Sequence, residues 1–153
     1  SLAPSEPDAA WVQAVRDNTP PDTLLVAAGS SIHLGPFVRR ALFAPGDADG
    51  QASTGYSINN RNTLLRQRHY PAALYDARAA AVTQFLTGDQ PAQFQAVLAT
   101  LLAPGRPLAI HFADPTTPSL LWLQAEGIGK ALLHDGQQTV WYIEPGAPTV
   151  AAP

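Results

Sequence analysis

The chain has 153 residues, of which 46% are hydrophobic and only 14% are charged, and its formal net charge is −3. This length fits one domain, and the hydrophobic fraction is too high for a disordered chain. No run approaches the roughly 20 apolar residues of a membrane-spanning helix. The absence of cysteine excludes disulfides and zinc–thiolate sites, and the negative net charge argues against generic nucleic-acid binding.

The two ends of the chain are polar or rich in Pro and Ala, and they predict flexible segments. We expect a flexible leader over residues 1–8, a single domain over 9–144 and a flexible tail over 145–153. The chain begins with Ser1 instead of Met, and this leader is typical of an exported bacterial protein. We therefore expect a periplasmic or extracellular location, with a cytoplasmic one as the open alternative.

The first half of the chain predicts two short helices around one strand. Apolar spacing predicts a helix over residues 7–16, which the Pro20-Pro21 pair ends, and the apolar run 23–28 has the length of a strand. Pro36 is a suitable first helical residue and predicts a helix over 36–43. The following segment, 44–54, is rich in turn residues and predicts a loop.

The second half predicts two longer helices and then a sheet. Apolar residues at helical spacing predict helices over 71–86 and 90–103. Short apolar runs then predict strands over 107–113, 120–124, 130–134 and 139–143, and the pair Asp135-Gly136 predicts a hairpin between the last two. The expected fold class is α+β: a single domain with a mainly antiparallel sheet and three to four helices packed on one face.

Positive charge is concentrated in one quarter of the sequence. Residues 33–70 carry a net charge of +3, whereas 1–32 and 71–153 each carry −3. Arginine is the side chain best suited to bidentate contacts with carboxylates and phosphates, and Tyr and Arg are common interface anchors. This pattern predicts a binding face for an acidic partner, formed by Arg39, Arg40, Tyr56, Arg61, Arg66, Arg68, His69 and Tyr70.

A weaker pattern predicts nucleophilic catalysis. Ser30 and Ser31 follow an apolar strand and a glycine, and His111 and Asp114 stand at the end of another strand. These residue types can form a nucleophile, a base and a group that orients the base. Residues 111 and 114 point to opposite sides of a strand unless the chain bends between them.

Metal and cofactor sites have little support. The four histidines are far apart in the sequence and no cysteine accompanies them, so we expect no metal site and no cofactor.

Three functions therefore remain open. The favoured one is an exported bacterial non-enzymatic domain that binds another protein, as an inhibitor, an immunity-type protein or an assembly accessory, partly through the Arg-rich face. The alternatives are a small hydrolase or transferase that uses Ser30 or Ser31 with His111, and a binder of a small anionic ligand.

Overall fold

The computed structural model describes residues 6–27, 39–44 and 72–146. Four helices lie in these ranges: α1 (Glu6–Asn18), α2 (Ala72–Thr87), α3 (Pro91–Leu102) and α4 (Pro118–Glu126). The strands are β1 (Leu24–Val26), β2 (Ala41–Leu42), β3 (Leu108–Phe112), β4 (Lys130–His134) and β5 (Thr139–Ile143). The predicted α+β class with a single domain is confirmed.

The five strands form one mixed sheet in the order β2-β1-β3-β5-β4. β1 pairs in parallel with β2 and β3, and β5 pairs antiparallel with β3 and β4. The predicted hairpin is confirmed: β4 and β5 are joined by a turn in which the Asp135 N–H donates to the carbonyl of Gln138 (3.2 Å), and Gly136 adopts the positive φ of 86° that such turns need.

Both faces of the sheet are covered, because its central strands are apolar on both sides. In β1, Leu24 and Val26 belong to a core with α2, α3 and α4, whereas Leu25 and Ala27 pack with α1 on the opposite face. Three helices thus lie on one face and α1 lies alone on the other, so the predicted packing on one face holds for three of the four described helices. Neighbouring strand residues point to opposite faces, so a strand of consecutive apolar residues needs a cover on each side.

Aromatic side chains join the three helices of the larger core. The ring of Phe85 on α2 lies 5.8 Å from Phe94 on α3 and 6.5 Å from both Trp122 on α4 and Phe112 on β3. Phe85, Phe94 and Phe112 are fully buried. Because these rings come from four elements, each helix is held by the same cluster.

Two predicted elements are wrong. Residues 120–124 belong to helix α4, which begins with Pro118 and ends at Gly127, a residue in the left-handed conformation. A run of four apolar residues does not distinguish a strand from a buried helix, and here the flanking Pro and Gly decide. The described end of the predicted 36–43 helix is also not helical: Arg39 has a φ of 56°, and Ala41–Leu42 pair with β1.

The aromatic pair in β5 is buried on both sides of the sheet. Trp141 and Tyr142 are neighbours in the strand and therefore point to opposite faces, and both are buried because both faces are covered. The indole N–H of Trp141 donates to the carbonyl of Ile128 (2.7 Å) in the turn before β4. A Cβ at Gly129 would lie 2.5 Å from that indole nitrogen, so this turn requires glycine.

Candidate functional site

Arg40 fastens the end of helix α1 to the segment that leads into β2. Its Nη2 donates to the carbonyls of Arg16 (2.8 Å) and Thr19 (2.7 Å), and its Nε donates to the hydroxyl of Thr19 (3.0 Å). Carbonyls at the end of a helix lack intrahelical donors, and a cation there also opposes the negative end of the helix dipole. Arg40 of the predicted binding face therefore acts as a helix cap.

The same contacts bring three arginines together. Arg39 is exposed, and its carbonyl accepts a hydrogen bond from Nη1 of Arg40 (2.8 Å), which helps to hold its left-handed backbone. Arg16, at the end of α1, is 38% exposed and forms an ion pair with Asp17 at 3.5 Å. We call Arg16, Arg39 and Arg40 the arginine cluster.

Sequence reasoning missed Arg16, because it lies in the acidic first segment of the chain, far from the other arginines. The only signal that could have suggested it is its place in the last turn of a predicted helix, where a later segment of the chain can contact the helix end. The other predicted binding residues, Tyr56, Arg61, Arg66, Arg68, His69 and Tyr70, lie outside the described residues.

His111 is held between helix α1 and the β4–β5 turn. Its ring stacks on Trp11, with ring centroids 4.2 Å apart and an interplanar angle of 15°. Its Nε2 lies 2.9 Å from Oε1 of Gln138. An amide oxygen only accepts, so Nε2 is the donor in this bond.

Asp114 does not orient His111. Its Oδ1 accepts hydrogen bonds from the N–H (2.8 Å) and the hydroxyl (2.7 Å) of Thr116, and these bonds hold the pKa of the exposed carboxyl below its usual value. The resulting turn leads from β3 into α4. Ser30 and Ser31, the predicted nucleophiles, lie outside the described residues.

The strand order nevertheless gives His111 a notable position. β1 has a parallel neighbour on each side, so the chain leaves it toward β2 and later returns on its other side as β3. In open parallel sheets, ligands bind at the carboxyl ends of strands where the order reverses in this way. His111 is the fourth of the five β3 residues and lies near that end.

The remaining polar groups near this edge support the hairpin. Nδ1 of His134 lies 2.8 Å from the Thr139 hydroxyl, across the β4–β5 ladder. The backbone N–H groups of Gln137 and Gln138 donate to Asp135 and, with the nearby His134, lower the pKa of its carboxyl. Within the described parts of the chain, no three His, Cys, Asp or Glu side chains converge as metal ligands would.

Among the four described helices, none has both the length and the hydropathy needed to cross a membrane. No protein-family model, no curated protein and no solved structure matches this chain. Function has therefore to be inferred from the geometry of the site itself.

Proposed function

We propose that this chain is a non-enzymatic domain that binds an acidic surface of another protein through an Arg-rich face, as an inhibitor, an immunity-type protein or an assembly accessory. The observation that carries the proposal is the arginine cluster, in which Arg40 is anchored by its hydrogen bonds and Arg39 is exposed beside it. The hydrogen bonds of Arg40 hold the backbone at Arg39 in place, which lowers the conformational freedom that binding through the exposed Arg39 side chain would cost.

Two further features support this proposal. The sequence places Arg61, Arg66 and Arg68 in the same net-positive segment, 33–70, as Arg39 and Arg40. His111 and Asp114, the candidate catalytic pair, are engaged with other partners: Gln138 and Trp11 for the histidine, Thr116 for the aspartate.

Affinity capture with matched variants tests the proposal. The wild-type protein, immobilised and exposed to an extract of its source organism, should retain one protein specifically at about 50 mM salt and much less at about 300 mM, because charged contacts are screened. Replacing Arg61, Arg66 and Arg68 together with Ala should reduce the captured amount and flatten its salt dependence.

The control is Lys130→Ala, which removes an exposed cation on β4, outside the arginine cluster. It should capture as much as the wild type. Capture that the triple substitution leaves unchanged, with the same salt dependence, would contradict the proposal. Saturable binding of inorganic phosphate, abolished by the triple substitution in the absence of a protein partner, would favour the small-anion alternative instead.

We propose the periplasm or the exterior of a bacterial cell as the location. Fractionation of cells that express the complete gene tests this directly. Recovery with the periplasmic or secreted fraction is expected, and recovery with the cytoplasm would contradict it.

A hydrolase or transferase is the second candidate function, and the position of His111 near the strand-order reversal favours it. It requires a hydroxyl of Ser30 or Ser31 within about 3.2 Å of a His nitrogen, or one water away. Hydrolysis of p-nitrophenyl acetate that is lost in both a Ser30→Ala/Ser31→Ala variant and His111→Gln would support it. A hydrolysis rate that these substitutions leave unchanged would contradict this second function.

A further inference from the structure

The hydroxyl of Ser119, on helix α4, is buried without a partner. The residue has no exposed surface, and its Oγ makes no hydrogen bond within the described parts of the chain. A serine inside a helix normally bonds the carbonyl four residues earlier or points to solvent, and Ser119 does neither. A buried hydroxyl without a partner has lost its bonds to water, so a bound molecule is the partner to expect.

The side chain of Ser119 is directed toward the start of α4. Ser119 is the second residue of this nine-residue helix and lies four residues before Leu123. Residues four apart share a helix face, so Ser119 faces the interior, as the fully buried Leu123 does. The Cα–Cβ bonds of a helix tilt toward its N-terminus, which brings the hydroxyl to the first turn. Thr116 and Pro118 are exposed, so this turn lies at the surface.

The first turn of α4 also has backbone donors without acceptors. The first hydrogen bond of the helix runs from the N–H of Leu121 to the carbonyl of Thr117 (3.1 Å). Thr117 is the cap residue, but its hydroxyl bonds the carbonyl of Asp114 (2.7 Å) and makes no cap bond. The N–H groups of Ser119 and Leu120 thus have no acceptor among the described residues. With the serine hydroxyl they make three donors at the positive end of the helix dipole.

This turn lies where ligands commonly bind in sheets with parallel strands. The chain leaves the carboxyl end of β3, turns at Asp114 and enters α4. β3 is the parallel neighbour of β1, on the side opposite β2, so the strand order reverses here. Binding sites form at such reversals, and helix N-termini there hold anions.

The charges of this segment favour an anion with a single negative charge. The three donors are neutral, and residues 113–126 contain no Lys or Arg. Asp114 is exposed, and its bonds with Thr116 keep its pKa below the usual value, so it is ionised near pH 7. A phosphate ester carries about 1.5 to 2 negative charges at pH 7 and is repelled more strongly by Asp114 than a carboxylate is.

We propose that the first turn of α4 binds the carboxylate group of a small organic acid. The N–H groups of Ser119 and Leu120 and the hydroxyl of Ser119 donate to its two oxygens. The bound carboxylate supplies the acceptor that the buried hydroxyl lacks. This site is separate from the arginine cluster at the end of α1, and it does not depend on the proposed binding of a protein.

Nuclear magnetic resonance of the ¹⁵N-labelled protein tests the proposal, with sodium acetate as the probe and sodium chloride to keep the ionic strength constant. The amide signals of Ser119 and Leu120 should shift and saturate, with a dissociation constant of about 1–10 mM, as expected for so small a ligand. Inorganic phosphate at pH 7 should bind more weakly. Signals of α4 report this site directly, so anions bound by arginines elsewhere do not contribute to the result.

Three variants locate the binding. Ser119→Ala should weaken acetate binding about tenfold or more, because it removes one hydrogen bond to a charged group. Asp114→Asn should bind phosphate more tightly than the wild type, because the repelling charge is gone. The matched control is Thr23→Val, which removes another fully buried hydroxyl without a described partner, at a residue that precedes β1 and does not open a helix. It should bind acetate like the wild type.

Three results would overturn the proposal. The first is the absence of saturable shifts at Ser119 and Leu120, as expected if the hydroxyl bonds only a resident water. The second is equal acetate affinity in Ser119→Ala and the wild type, with the remaining signals showing both to be folded. The third is tighter binding of phosphate than of acetate by the wild type. None of these results bears on partner capture by the arginines.

Discussion

The two sides of the sheet are covered in different ways. On one side, α1 packs alone with a small apolar cluster. Two further contacts hold it: Arg40 caps its last turn, and the ring of His111 stacks on Trp11. On the other side, three helices share a larger core that is joined by aromatic rings, and their outer surface is nearly neutral.

This difference shows how the low charge of the chain is distributed. A lone helix buries less apolar area than a layer of three, so its position depends more on specific hydrogen bonds. The arginine that makes those bonds also gathers positive charge at the end of α1. The three-helix layer is joined by its aromatic rings and carries few charges.

The largest expected effect is in the aromatic core. Phe85→Ala should lower the free energy of unfolding by about 3–5 kcal/mol, because it removes a fully buried ring that contacts α3, α4 and β3. Urea denaturation measures this loss. Leu121→Ala replaces an exposed side chain of the same layer and should change the free energy of unfolding by no more than about 0.5 kcal/mol. Equal losses for the two variants would mean that the buried ring contributes no more to stability than the exposed leucine.

The next effect concerns the polar fastening of α1. Arg40→Ala should cost about 1.5–3 kcal/mol, because it removes charged hydrogen bonds to carbonyls at the end of the helix. Arg40→Lys should recover only part of this stability, since an ammonium cannot reproduce the fork of a guanidinium. If urea denaturation shows no loss for Arg40→Ala, α1 is held by its apolar cluster alone and the contrast between the two sides disappears.

A smaller effect is expected at alkaline pH. Burial, followed by the charges of Glu144 and Asp22, raises the pKa of Tyr142 above its ordinary value of 10.0. The neutral phenol is thus favoured in the folded state, so its contribution is complete below pH 10 and is lost as the pH rises through the folded pKa. Tyr142→Phe should flatten the dependence of stability on pH above 10; an unchanged slope would assign that dependence to other groups.

The smallest effect is expected at acidic pH, in the β4–β5 turn. Backbone hydrogen bonds from Gln137 and Gln138 lower the pKa of Asp135 below 3.8, so its contribution is present above that value and is lost as the pH falls through the folded pKa. Asp135→Asn should reduce the loss of stability on acidification, as thermal melts between about pH 2 and 5 would measure. A melt series that is identical to the wild type would show that this turn does not contribute.

Local patterns predicted the elements whose signals are local. The hairpin and its strands 130–134 and 139–143 followed from short apolar runs and the Asp135-Gly136 pair, and helix α3 followed from its apolar stripe. The strand predicted over 120–124 was wrong because its short apolar run fits either element. The burial of both Trp141 and Tyr142 depends on helices that cover both sides of the sheet, and strand periodicity alone carries no information about that cover.

The candidate site was predictable only in part. The concentration of arginine is visible in the sequence, but the roles of its members depend on contacts between distant segments. Arg40 caps α1 because the helix ends beside it, and Arg16 belongs to the cluster for the same reason. The same holds for His111, whose partners Trp11 and Gln138 come from opposite ends of the chain.

Hydrogen–deuterium exchange of the wild-type protein and of Arg40→Ala tests the contrast between the two sides most directly. Backbone amides of α1 should exchange faster in Arg40→Ala, because the substitution removes the hydrogen bonds that hold the end of this helix, whereas amides of α3 should change less. No change in α1, or equal acceleration in α1 and α3, would contradict the account that polar contacts hold α1 and aromatic packing holds the three-helix layer.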